Sequence, residues 1–330
     1  MPSLLTTGLN PYGLTYHLGI QALGTPRANP TPAGLEGYIA LATELGARTL
    51  EIWEGWTREL SDDDLRALGD RLRGLGMEPV GSSGLHHADP VNSIRIARGL
   101  GAKVCRFALT PILCGDRNAA GPRWNGLVAD VWSKLRQLAP LAAEAGVTIA
   151  IENHQDFTSA ELVKFCTDAG PNVGIVFDTA NTFPVAESPL DFTRTIAPHV
   201  RYLHLKDYRV QWTDEGIRLC RCPSGDGAVP YAAIVEILSR HHQSLPAAIE
   251  IGALEARHVR LFTPDWWKGY APKDASALAA CLLAARKNRI PDGEDYRTPW
   301  EKDELGEALA SYEVAQVRKS ARNLKALGLM

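Results

Sequence analysis

Four short apolar runs in this chain each end in a side chain that can bind a metal. Residues 147–151 lead into Glu152-Asn153-His154, residues 173–177 into Asp178, residues 200–203 into His204, and residues 247–249 into Glu250. In a strand, successive side chains point to opposite faces. The immediate neighbours of each candidate ligand are apolar: Ile151, Phe177, Leu203 with Leu205, and Ile249 with Ile251. If these apolar residues face outward, the four ligands face inward together. Around His204 the same parity puts Tyr202 and Lys206 on the inward face. Asp207 then points the other way and is expected to cap a loop. Three carboxylates brought together without a cation repel and raise one another's pKa values. A divalent cation removes that conflict. Three oxygen donors and one imidazole suit a single Mn2+, the expected metal, or Mg2+ or Co2+, with Zn2+ also compatible.

Such a set converges only if the strand ends lie side by side. The rhythm of the chain predicts that they do. Strand patterns are expected at 14–19, 49–53, 78–82 and 103–108, followed by the four that end in ligands. Helical patterns lie between them. Thr31-Pro32 opens one that Gly46 closes, Ser61 precedes the acidic first turn Asp62-Asp63-Asp64, and Thr158-x-x-Glu161 is a capping box. Eight alternations of about thirty residues predict a parallel sheet closed as a (β/α)8 TIM barrel. Nothing resembles the Gly-rich dinucleotide fingerprint of a doubly wound sheet. In such a barrel every strand C-terminus reaches one rim, where chemistry is done. On this reading residues 1–260 form the catalytic barrel. Residues 261–330 form a C-terminal helical extension packed on the barrel or on a partner subunit, with a long helix over 304–327. The loop at 111–125 is expected at the rim, and a hairpin excursion at 212–219. Trp266, Trp267 and Trp300 are expected to pack the tail. His86-His87 and His241-His242 read as loop and helix-end residues.

Composition narrows the function. The 330 residues are 45% apolar and 22% charged, with a net charge of −3. That balance leaves no electrostatic footprint for nucleic acid or an anionic membrane. The longest apolar run, 277–285, is too short to span a bilayer. The first ten residues have no basic, apolar signal pattern, and the six scattered cysteines suit reduced thiols. A cytoplasmic enzyme, as a homo-oligomer or with a small partner subunit, is the expectation.

Ile-Glu-Asn-His at 151–154, Phe-Asp-Thr-Ala-Asn at 177–181, His-Leu-Lys-Asp at 204–207 and Ile-Glu-Ile-Gly at 249–252 resemble the xylose isomerase-like TIM-barrel superfamily. This group holds sugar phosphate isomerases and epimerases, keto-sugar epimerases and AP endonucleases. The resemblance spans roughly 14–255. It implies that Glu152, Asp178, His204 and Glu250 bind one divalent cation. It also implies that Glu152 and Glu250 shuttle protons on a carbohydrate substrate through a metal-held enediolate. Arg221, before Ser224-Gly225-Asp226-Gly227, resembles the family's substrate-binding arginine. Lys206 is a candidate oxyanion partner and His154 a further acid or base, with Asn153 holding a neighbouring ligand. His17, Glu54 and Arg106 also stand at expected strand ends and are candidates for substrate contact. Asn181 stands where a further histidine of the trinuclear endonuclease site would be, so one metal is expected rather than three. The resemblance implies a metal-dependent sugar isomerase or epimerase. The alternatives are a decarboxylase, lyase or deglycosidase on a 3-oxo sugar using the same metal, an AP endonuclease, or a non-catalytic sugar-binding barrel.

Overall fold

The computed structural model describes residues 3–86 and 89–330. His87 lies outside the described residues. Eight parallel strands close into a barrel. They are β1 Leu5–Leu9, β2 Thr49–Ile52, β3 Glu78–Gly84, β4 Val104–Ala108, β5 Thr148–Glu152, β6 Val173–Asp178, β7 Val200–Leu205 and β10 Leu245–Ile249. Each pairs with the next in that order, and β10 closes on β1. The helices between and after them are α1 Gly34–Leu45, the short α2 Glu54–Thr57, α3 Asp62–Gly74, α4 Pro90–Leu100, α5 Trp124–Glu144, α6 Ser159–Ala169, α7 Pro189–Ile196 and α8 Tyr231–Ser239. The tail carries α9 Ala275–Lys287 and α10 Gly306–Ala326. A separate antiparallel sheet, β8 Asp207–Thr213, β9 Gly216–Cys222 and β11 Arg257–Val259, interrupts the barrel rhythm after β7 and β10.

The strand parity read from the sequence is the parity of the barrel. Val80, Val104, Ala150, Val176, Tyr202 and Ala248 form a buried cluster of their own. Each belongs to a different barrel strand. Two residues further along the same face come Ser82, Arg106, Glu152, Asp178, His204 and Glu250. An apolar floor thus lies one layer beneath a polar layer at the rim, as the layered filling of such barrels requires. The outward residues Ile151, Phe177, Leu203, Leu205, Ile249 and Ile251 belong to the larger core between strands and helices.

The first strand differs from expectation. It is Leu5–Leu9, and residues 14–19 form turns. Leu14, Thr15 and Tyr16 have strand-like side chains but are buried in turns instead, Thr15 and Tyr16 against the tail helix α10. Gly8 explains why the true strand was hard to see. A Cβ there would stand 1.6 Å from the Thr49 carbonyl oxygen, so the close approach of β1 to β2 excludes a β-branched residue. Two other boundaries move. α5 starts at Trp124, within the stretch expected as loop, and the hairpin is longer than 212–219 because β8 begins at Asp207. The carboxylate of Asp207 caps the turn after β9, accepting N–H bonds from Gly225, Gly227 and Val229 at 3.0 Å each.

α10 lies against β10 and α1. Arg318 pairs with Glu44, Lys325 donates to the Leu45 carbonyl, and the Leu329 carbonyl accepts from Thr7 on β1. It stands where the eighth helix of the barrel belongs. Its Glu313 is fully buried and accepts four bonds: from the Thr15 hydroxyl (3.1 Å) and the backbone N–H groups of Tyr16 (2.9 Å), His17 (2.9 Å) and Ala253 (3.0 Å). The loop after β1 and the turn after β10 are tied together through this carboxylate.

Burial pushes Glu313 up from 4.5 to about 7 despite those bonds. Between these values the folded chain binds more protons than the unfolded one. Glu313 therefore contributes most below its unfolded pKa, and that contribution is lost as pH rises through about 7. Glu313→Ala leaves four donors unpaired and should cost about 3 kcal/mol near pH 5. The gap to the unsubstituted chain should shrink by about 2 kcal/mol at pH 8. Urea unfolding at the two pH values measures both; a gap that widens with pH would contradict this account.

Candidate metal centre

Four consecutive strands of the barrel wall deliver the cluster. Glu152 ends β5, Asp178 ends β6, His204 is the penultimate residue of β7, and Glu250 follows β10 directly. One ligand atom from each lies within 4.8 Å of the others, and all four residues are buried. His204 is the centre of the set. Its Nδ1 is 3.1 Å from Glu152 Oε1 and 2.8 Å from Glu250 Oε2. Glu250 Oε2 is buried and lacks hydrogen-bond geometry to any donor among the described residues. An unsatisfied carboxylate oxygen beside an imidazole nitrogen and two further carboxylates fits a divalent cation. The arrangement would hold one through Glu152, Asp178, His204 Nδ1 and Glu250.

The surroundings orient these groups. Asn153 donates its amide to the Asp178 carbonyl (2.8 Å) and accepts from the Asp178 N–H (2.7 Å), locking the ends of β5 and β6 in register. Asn181 donates to Asp178 Oδ2 at 2.6 Å. Arg106, buried on β4, donates from Nε to Glu152 Oε2 at 2.7 Å and from its fork to the Ser83 carbonyl. Lys206 Nζ bridges Asp178 Oδ2 at 2.7 Å and Glu250 Oε1 at 2.5 Å.

The electrostatics show the strain of crowding. Burial, together with Glu250 and Glu152, pushes Asp178 up to about 6 although Lys206 opposes this. Burial would raise Glu152 too, but Arg106 and His204 hold it far below the usual carboxylate range. Glu250 is likewise held low against burial, by Lys206 and His204. Burial disfavours charge on His204, yet Glu51, Glu250 and Glu152 outweigh it and raise the imidazole well above its ordinary value.

Glu51 and Asn10 escaped the sequence reading. Glu51 Oε2 lies 2.8 Å from His204 Nε2, and Asn10 donates to the same oxygen at 2.9 Å. With Nε2 facing Glu51, Nδ1 is turned toward the cluster, the arrangement by which a carboxylate orients a metal-binding histidine. A carboxylate in the otherwise apolar run at 49–53, on the parity of the barrel interior, was the available signal for Glu51. Asn10 directly follows β1 and was hidden with it.

The remaining candidates divide. Arg106 serves Glu152, as above. His154, two residues past Glu152, is half-buried; its Nδ1 has no partner among the described residues, and burial lowers it to about 4, so the ring is neutral. Arg221 is buried on β9, with one fork nitrogen on the Glu255 carbonyl at 2.6 Å. Glu54 is turned to Ser83, Ser93 and Arg58 rather than to the cluster. His17 sits in the loop held by Glu313, where burial and Arg318 lower its pKa. Trp266 donates to the Cys114 carbonyl and stacks on Tyr270, so it packs the tail against the loop after β4.

The model of the family described as "Xylose isomerase-like TIM barrel" matches residues 39–263. The chain belongs to this family. Among curated relatives of this xylose isomerase-like barrel, it is 29% identical over 182 residues to "Uncharacterized protein YihM" of Escherichia coli (strain K12), covering 53% of this chain and 52% of that one. It is 32% identical over 95 residues to "Inosose dehydratase 1" of Bacillus cereus, covering 28% and 30%. The chain thus spans about half the length of the first and under a third of the second. In fold it is similar to a D-psicose 3-epimerase solved with D-fructose, with TM-score 0.54 at 18% identity over 88% of this chain and 92% of that one. It is also similar to a xylose isomerase-like barrel protein of Mycobacterium smegmatis solved with magnesium, with TM-score 0.54 at 15% identity over 86% and 98%. Among the described residues no helix is long and apolar enough to cross a membrane.

If Glu51 sets the histidine, Glu51→Gln should weaken divalent binding by roughly 10–100-fold while leaving the fold intact. Calorimetric titration with Mn2+ measures this; an unchanged affinity would remove Glu51 from the site.

Proposed function

We propose that the chain is a divalent-metal-dependent isomerase or epimerase of a sugar or sugar derivative. The observation that carries this reading is the placement of the two glutamates. They stand on the outer strands of the four, β5 and β10, with Asp178 and His204 between them. Two carboxylates on opposite flanks of one site are what proton transfer to and from a bound carbon needs.

When bound, the divalent cation supplies Lewis-acid polarisation of a substrate carbonyl and the hydroxyl beside it. The side chains do the rest. One glutamate accepts the proton α to the carbonyl. The other, once it has taken a proton from solvent, returns it to the opposite face of that carbon, which epimerises, or to the neighbouring carbon, which isomerises. Arg106 keeps Glu152 ionised and fixes its orientation. Lys206 places a full positive charge between Asp178 and Glu250, where it offsets negative charge growing on a substrate oxygen. The buried setting strengthens each of these interactions relative to water.

His154 favours a second reading. A neutral imidazole with an uncommitted Nδ1, two residues past Glu152, is a third group that can take up a proton and pass it to a departing β-hydroxyl. The same α-proton abstraction followed by loss of a β-substituent gives a lyase, and a relative bears the name inosose dehydratase. Loss of CO2 from an oxo-sugar acid would use the same site.

Turnover of a ketose and oxo-sugar panel in 2H2O with added Mn2+ tests the proposal. A product of unchanged composition carrying solvent deuterium supports the isomerase or epimerase. Released water, CO2 or aglycone supports the lyase. Glu152→Gln and Glu250→Gln should each lower kcat by about 10^2–10^4-fold. Undiminished turnover in both variants would contradict the proton-transfer roles.

A further inference from the structure

The antiparallel sheet β8-β9-β11 stands at the rim and carries two buried arginines that the proposed chemistry leaves unused. Its ends reach different rim loops. On β8 the Tyr208 hydroxyl donates to Asn181 Oδ1 at 3.3 Å, and Asn181 in turn donates to Asp178. At the other edge β11 lies beside Cys114, in the loop after β4. Cross-strand pairing fixes which side chains share a face. Tyr208 pairs with Arg221, Val210 with Leu219, and Leu219 with Arg257. Tyr208, Arg221 and Arg257 are therefore on the same face. Tyr208 shows that this face looks toward the metal centre. Arg221 also passes close above Gly252, two residues beyond Glu250, since a Cβ on that glycine would lie 4.0 Å from its Nε.

Both arginines are more than nine-tenths buried, at 7% and 8% exposure. Their acceptors among the described residues belong to one residue. Glu255 gives its carbonyl to Arg221 and its partly exposed carboxylate to Arg257. Arg257 Nε is buried without a partner among the described residues. Two guanidinium groups facing one site with a single carboxylate between them are undercompensated. Burial first, and then the neighbouring Arg221, push Arg257 down to about 10, against the opposing effect of Tyr208, Cys114 and Glu250. A neutral hydroxyl cannot correct that deficit. A planar or tetrahedral oxyanion can, because the guanidinium fork matches it in two parallel bonds.

We propose that Arg257 joins Arg221, which already resembles the family's substrate-binding arginine, in a subsite beside the metal centre for an anionic substituent of the substrate, a carboxylate or a phosphate. The proposal rests on the sugar-isomerase reading for the rest of the ligand and narrows its substrate class to sugar acids or sugar phosphates. Arg221 orients the group from the β10 side, and the free Nε of Arg257 completes the fork.

Equilibrium binding to the Mn2+-supplemented protein tests this with D-glucuronate, D-fructose 6-phosphate and neutral D-fructose as probes. At least one anionic probe should bind about 10-fold or more tighter than D-fructose. Whichever anion wins identifies the substituent. Arg257→Gln should abolish that preference while changing D-fructose affinity by less than about 2-fold. Arg257→Lys, which keeps the charge but lacks the fork, should retain part of it, so a preference lost in Arg257→Gln and partly kept in Arg257→Lys, with native circular dichroism in both, reports recognition rather than unfolding. D-fructose binding as tightly as both anions, or a preference untouched in Arg257→Gln, overturns the subsite. Turnover separates it from the reading it rests on. Anion preference without isomerisation, epimerisation or elimination of any panel sugar would sink the catalytic reading and leave the subsite standing. Turnover of neutral ketoses with neither anionic probe preferred would do the reverse.

Discussion

The organising constraint is the repulsion among buried carboxylates at one end of the barrel. Glu51, Glu152, Asp178 and Glu250 are all 0–7% exposed and converge on His204, and taking even one such charge out of water is costly unless it is paired. The surrounding structure answers that repulsion. Arg106 enters from β4 against Glu152, Lys206 enters from the end of β7 between Asp178 and Glu250, and Asn10, Asn153 and Asn181 direct N–H groups at the remaining oxygens or backbone. These cations do not exhaust the demand. Asp178 remains shifted upward, and Glu250 Oε2 has no donor of its own among the described residues. A divalent cation is the charge that the arrangement still lacks.

The barrel makes this concentration of charge tolerable. The layer beneath is apolar, from Val80 round to Ala248, so the strands are held by packing that does not depend on the polar layer above. The tail helix α10 contributes from outside. Through Glu313 it fixes the loop that follows β1 and the turn that follows β10, and Asn10 and Glu250 sit at the barrel ends of those two segments. Removing a rim residue should therefore change chemistry more than stability, and removing Glu313 the reverse.

Much of the centre was legible in the sequence because strand parity has a period of two and a ligand inside an apolar run stands out against it. Glu152, Asp178, His204 and Glu250 were found that way, and the barrel followed from eight repeats. What was missed has a physical reason in each case. β1 is Leu-Thr-Thr-Gly-Leu, whose glycine is set by the close approach of Thr49 and breaks the strand pattern that Leu14-Thr15-Tyr16 imitates in a turn. With β1 displaced, Asn10 was lost and His17 was placed at a strand end that does not exist. Glu54 follows β2 and was read as a strand-end candidate for substrate contact. The inward parity of that strand belongs to Glu51, three residues earlier, and Glu54 opens a helical turn. The long-range pairing of β11 with β9, which sets Arg257 on the face of Arg221, has no local signal at all.

The central claim is that four strand-end side chains hold one divalent cation. Anomalous diffraction from a crystal grown with Mn2+, collected on either side of the manganese edge, tests it most directly. The account predicts one peak per chain, within roughly 2.0–2.6 Å of Glu152, Asp178, His204 Nδ1 and Glu250. No peak at these residues, or a cation bound by other side chains while His204 Nδ1 stays on a carboxylate, would contradict it.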